Sequence, residues 1–183
     1  MAWLTRISFH RHTLKEYSLA ITLVAGMALS IVLYYTVPQL FFLMLFCGVL
    51  FAREWYGSVT GMGSLISFTD IAAIFLSYVY SPLLGVIAVL WGLGAKALFG
   101  RMGHEHLAKA LIMCVSCFVI AFLRPLSLTL VAVLAMLMRY AAEYLVDSIT
   151  GSLHVDFMRI PRTILTVLVV HLSAPLFLSL MLQ

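Results

Sequence analysis

The sequence is poor in charge. Only 10% of its 183 residues are Asp, Glu, Lys or Arg, and just seven are acidic, against 64% hydrophobic residues. A soluble domain carries roughly a quarter charged and half apolar residues, so this chain lacks the polar side chains to cover a water-facing globule. That excludes a water-soluble enzyme, a nucleic-acid binder and a disordered linker. Cysteine is also scarce: Cys47, Cys114 and Cys117 all sit in apolar runs, an odd count with no disulfide framework. Cys114 and Cys117 have C-x-x-C spacing but lack the second pair a zinc site uses. His104, Glu105 and His106 offer donors, yet residues two apart do not share a helical face. The chain has no H-E-x-x-H, no G-x-S-x-G and no phosphate-binding glycine loop followed by Lys-Ser/Thr. No catalytic role, metal or cofactor is therefore expected, and the chain has no means of hydrolysing ATP itself.

What the sequence has is long apolar runs, with a mean hydropathy of +1.12. The expected fold is all-α: a polytopic integral membrane bundle of six or seven helices, several of them short, forming one domain over residues 1–183. Residues 1–16 alternate Trp3, Leu4, Ile7 and Leu14 with Arg6, His10, Arg11, His12 and Lys15, a pattern suited to a helix lying on a membrane surface or to a basic tail. The next apolar stretch, 17–37, ends in YYTVPQ rather than at a small-residue cleavage site. It is also longer than the roughly 7–15 residues of a signal-peptide core, which predicts an uncleaved first membrane helix.

Six further segments follow, over about 39–52, 67–81, 82–99, 107–122, 126–148 and 162–182, given that roughly 20 residues cross a hydrocarbon core. The second is short because Arg53 and Glu54 interrupt it, so it is read as tilted, extended or re-entrant. Residues 53–66 form a polar connection with Gly57, Gly61 and Gly63. Pro82 suits the first residue of a helix. With seven crossings and a cytoplasmic N-terminus, Arg53, Arg101, Lys109, Arg159 and Arg162 all fall inside and Arg124 alone outside, as basic residues should. The expected location is the cell membrane, multi-pass.

Ionisable residues at membrane depth are costly, about 2.5–3.5 kcal/mol each when unpaired, and they mark function by default. Arg139, Glu143 and Asp147 lie along one helical face at i, i+4 and i+8. Arg139 and Glu143 can pair; Asp147 is nearer the helix end. They are read either as a structural ion pair or as the polar wall of a solute path. Asp70 opens its helix in SFTDIAAIF, where Ser67, Thr69 and Asp70 are N-cap candidates, and it is also a candidate ligand residue. Lys96 is near a membrane end and can snorkel. His171 is expected buried in the last helix, bonding a neighbour or serving a ligand. Gly26 and Ser30 make a small-xxx-small pair on the first helix, and Gly85, Ala88, Gly92 and Ala95 a similar stripe further on. Both suit packing within the chain or against another subunit.

The run ISFTDIAAIFLSYVYSPLLGVIAVLWGLGAKALFG, residues 66–100, has a polar start with Asp70, an apolar helix, Ser81-Pro82, then glycines at helical spacing. It resembles the second and third helices of the substrate-binding S-components of energy-coupling-factor transporters. MRYAAEYLVDSITGSL, residues 138–153, is similar to a late helix of the same family. The family has Gly-Pro where this chain has Ser81-Pro82, and usually six helices. Residues 39–99 also resemble the membrane-embedded input domains of bacterial signalling proteins.

The S-component resemblance implies a small membrane subunit that captures a micronutrient in an outward-facing pocket and works with a membrane coupling protein and cytoplasmic ATPases. Carried over, Asp70, Arg139, Glu143 and Asp147 become substrate-binding candidates, with His171 added from its position, and Gly26 and Ser30 become partner-binding candidates. The expected function is a membrane-embedded subunit for binding and uptake of a small polar solute, with energy-coupling partners. The alternative is a noncatalytic membrane scaffold or sensor subunit that binds another membrane protein and has no solute-sized pocket. The expected partners are the lipid bilayer, other membrane subunits, cytoplasmic ATPases and a small polar solute, and no nucleic acid.

Overall fold

The structure, a computed structural model, describes residues 21–61, 66–149 and 159–182. Their regular elements are all helices, with no strand among them: α1 Ile21–Thr36, α2 Pro38–Thr60, α3 Phe68–Val79, α4 Pro82–Leu98, α5 His104–Phe122, α6 Leu128–Ile149 and α7 Arg159–Met181. Four of them, α2, α5, α6 and α7, are long and apolar enough to cross a membrane, whereas α1, α3 and α4 are shorter. The N-terminal surface-helix expectation for residues 1–16 lies outside the described residues.

The chain divides into two compact units between Phe41 and Phe42. In the first, α1 ends where Val37 N–H donates to the Leu33 carbonyl (2.8 Å), one residue before Pro38. Pro38 opens α2, a position where its missing N–H costs nothing. Ser30 Oγ donates to the Gly26 carbonyl (2.8 Å) along α1, and both residues are exposed.

The second unit corrects one expected boundary. Helix α2 does not stop at residue 52. It runs through Arg53 and Glu54 to Thr60, 23 residues in all, or about 35 Å at 1.5 Å per residue. The charges do not end it because they are matched: Glu54 is only 2% exposed and pairs with Arg53 and Arg101. The helix ends instead at Gly61, whose N–H donates to the Gly57 carbonyl (3.0 Å). Its φ of 69° is the left-handed conformation that closes helices and favours glycine.

Helix α3 is central. Asp70 to Ser77 are buried without interruption, as expected of a helix covered on all sides, and it touches α4, α5, α6 and α7. Its rings join the stack of Phe46, Phe75 and Phe177 from α2, α3 and α7, with centroids 5.0–6.3 Å apart. Ser81 caps α4 through Leu84 N–H (3.4 Å), with Pro82 first in the helix. Gly85 lets α3, α4 and α5 close together, since a Cβ there would run into Ser77 Oγ and Cys117 Sγ. This stripe therefore packs within the chain.

Candidate functional site: a cationic cavity at one end of the bundle

Helices that alternate in direction bring the second halves of α2, α4 and α6 to the same end as the first halves of α3, α5 and α7. A cavity of about 310 Å³ opens there, lined by Arg53 and Glu54 (α2), Ile66, Ser67 and Thr69 (the start of α3), and Val89, Gly92, Leu93 and Lys96 (α4). Arg101, His106, Lys109, Ala110 and Met113 line the α5 side, Arg139, Tyr140 and Glu143 the α6 side, and Arg159 and Arg162 the α7 side. Its basic side chains thus number seven and its carboxylates two. Arg139, twelfth of the 22 residues of α6, gives the cavity its depth: it sits about 17 Å along that helix.

At the inner wall, the Arg139 guanidinium bridges two helices. It pairs with Asp70 of α3, and its Nε donates to Glu143 Oε1 at 2.8 Å within α6. Asp70 and Glu143 are only 4% and 3% exposed. Buried charges persist only when paired, and here one cation serves two carboxylates. Asp70 does not cap its own helix. The cap position, Ser67, makes no side-chain cap, and its N–H donates to Thr166 Oγ1 of α7 (3.2 Å). Nearer the mouth, Arg53 and Arg101 share Glu54, the second at 3.4 Å. Arg159 Nη2 donates to Asp147 Oδ2 at 2.7 Å.

The remaining three cations are different. Lys96, Lys109 and Arg162 have no carboxylate within 4.0 Å among the described residues. Arg162 Nε is buried and has no hydrogen-bond partner. Since the other four cations face four carboxylates (Glu54, Asp70, Glu143 and Asp147), the described residues of the site carry an excess of three positive charges. His106 adds no fixed charge: its Nδ1 accepts from Gly103 N–H (3.0 Å), which leaves the proton of the neutral ring on Nε2.

Of the expected solute-binding residues, Asp70, Arg139 and Glu143 are brought together, and Arg139 and Glu143 line the cavity. Asp147 does not line it but holds Arg159, which does. His171 bonds a neighbour as expected but differs in its burial. It is exposed rather than buried, and its Nδ1 lies 3.0 Å from Thr129 Oγ1 of α6, a local contact away from the cavity. Lys96 is a lining residue of the cavity. Gly26 and Ser30 belong to the first unit. No three His, Cys, Asp or Glu side chains converge as metal ligands among the described residues.

Sequence reading missed Arg53, Lys96, Arg101, Lys109, Arg159 and Arg162 as site residues. The signal was present in the topology argument, which put all but Lys96 on one side but used them only to orient the chain. Comparison of the chain with protein-family models, with curated proteins and with solved structures finds no match.

Proposed function

We propose that this protein is a multi-pass membrane subunit that binds a small polar solute in the cationic cavity, with its N-terminus in the cytoplasm. Membrane residence is supported by the four long apolar helices and by outward residues such as Leu111, Phe122, Leu172 and Ile164, 61–84% exposed. Apolar surface on that scale belongs against lipid or protein rather than water. The orientation is supported by the clustering of basic residues at one end, which the positive-inside preference assigns to the cytoplasm. The cavity therefore opens to the cytoplasmic side, the reverse of an outward-facing capture pocket. Partner subunits that supply energy rest on the S-component resemblance alone.

The observation that carries the reading is the 310 Å³ cavity itself. Ligand pockets start at about 300 Å³ and combine apolar walls with a few placed polar groups. Val89, Leu93, Ala110 and Met113 supply the former, and the ionised side chains the latter. A scaffold or sensor subunit needs no such space. That second reading is favoured by α1, whose small Gly26–Ser30 face is exposed.

The test exploits two glycines on α4. Gly92 lines the cavity, while a Cβ on Gly94 would meet nothing within 4 Å. Native mass spectrometry of the protein released from nanodiscs should find a retained small molecule in the wild type and in Gly94→Leu, and lose it in Gly92→Leu. An empty wild-type protein, or equal retention in both variants, would overturn the proposal in favour of the scaffold.

A further inference from the structure

Resting on that reading of the cavity, we infer that its ligand carries a phosphoryl group, as a phosphate ester or diphosphate, held by Lys96, Lys109 and Arg162. The other four lining cations are matched by carboxylates, so among the described residues a ligand meets an excess of three positive charges. A phosphate monoester brings about −1.5 to −2 at neutral pH. A neutral solute would leave three like charges facing one another around a partly desolvated space, and a cation would add to them.

Lys96, Lys109 and Arg162 line the one cavity from three different helices, α4, α5 and α7. A planar carboxylate is served by one arginine in a two-pronged contact, whereas a tetrahedral group with several accepting oxygens uses donors arrayed around it. Ser67 and Thr69, also in the lining, add hydroxyls that donate or accept. Arg162 Nε, buried and without a partner, is a donor already withdrawn from water.

The cavity is larger than one phosphate, and its remaining wall of Val89, Leu93, Ala110 and Met113 is apolar. The organic part of the ligand is therefore uncharged. That description fits a soluble phosphate ester and equally a lipid headgroup reaching in from the bilayer, and the shared phosphoryl chemistry is what the three cations recognise. Arg139 is a positioning residue: its two carboxylates hold it, and it fixes α3 against α6 behind the binding cations.

The experiment uses the full chain in phosphatidylcholine nanodiscs and follows its thermal unfolding at constant ionic strength. The probes are inorganic diphosphate, glycerol phosphate, citrate as a planar-carboxylate trianion, and phosphatidic acid incorporated in the disc. Diphosphate should raise Tm with a saturating dose dependence and citrate should not. A response to glycerol phosphate identifies a soluble ester as the source; a response to phosphatidic acid with none to glycerol phosphate identifies a lipid headgroup. The variant Lys96→Met/Lys109→Met/Arg162→Met should weaken the apparent Kd by about tenfold or more, the scale of a lost charge-assisted hydrogen bond, while its ligand-free Tm stays level or rises as like charges are removed.

Lys96→Gln and Lys109→Gln singly give the same reading should the triple variant fold poorly. An equal response to citrate, no response to any phosphoryl probe, or undiminished binding in the variants would overturn the inference. Retention of a neutral molecule, displaced by Gly92→Leu, would sink the phosphoryl assignment while leaving solute binding intact. An empty cavity would remove both.

Discussion

The two ends of the second unit treat arginine in opposite ways. At one end Arg124 turns its Nη2 to the carbonyls of Ser77 and Tyr80 at 2.9 and 2.8 Å. It satisfies backbone groups that the last turn of α3 leaves open. Tyrosines complete that end: Tyr78 Oη donates to the Leu126 carbonyl and Tyr80 Oη to the Met181 carbonyl, each at 2.9 Å. Donors there meet fixed acceptors in the chain, and the region is a finished seam. At the other end, seven basic side chains line a cavity, and three find no carboxylate within 4.0 Å among the described residues. The same residue type closes the fold at one end and leaves it chemically open at the other, so function is to be sought where donors exceed acceptors.

The comparison can be broken by mutation. The largest effect is expected for Arg139→Met, which strands Asp70 and Glu143 as buried charges. Unfolding measured in mixed micelles should fall by about 3–5 kcal/mol. Adding Asp70→Asn and Glu143→Gln to it should recover most of that loss, because an apolar or neutral replacement of a whole buried ionic group is often tolerated. No recovery would show that the triad contributes through packing rather than charge.

Next comes Arg124→Met at the opposite end. It uncovers two carbonyls in a partly exposed setting, with an expected cost of about 1–2 kcal/mol and no change in the response to diphosphate. A change in that response would mean the two ends are coupled. Asp147→Asn breaks the pair with Arg159, whose side chains are each 20% exposed. It should cost under about 1 kcal/mol by the same unfolding measurement. The smallest effect is expected for His171→Ala, exposed on α7 and joined only to Thr129 among the contacts described: within about 0.5 kcal/mol by the same measurement.

Much of the fold was legible because lipid-type helices announce themselves by composition. Seven apolar segments separated by Pro38, Pro82, the GRMG turn and Arg124-Pro125 correspond to seven helices. The Arg139–Glu143 pair followed from i, i+4 spacing alone. The second helix differs from its expected bounds because the charges Arg53 and Glu54, which in an apolar run predict a boundary, are matched by pairing. Arg101, more than forty positions away, neutralises Glu54 and lets α2 continue. His171 was misplaced for the converse reason. Apolar neighbours along α7 imply burial only when the helix is covered on that side, and which side is covered is set by α6.

The sequence by itself determined that this chain is helical and strongly apolar, that Pro38 and Pro82 open helices, and that its basic residues fall on alternate connections. Those properties depend on local composition and on periods of a few residues. Only the tertiary structure decided which charges cancel. Asp70 meets Arg139, Glu54 meets Arg101, and Lys96, Lys109 and Arg162 meet no carboxylate among the described residues, since pairing energy depends on distance through space and on burial. The excess of positive charge that defines the site exists only once six helices have brought those side chains to one end.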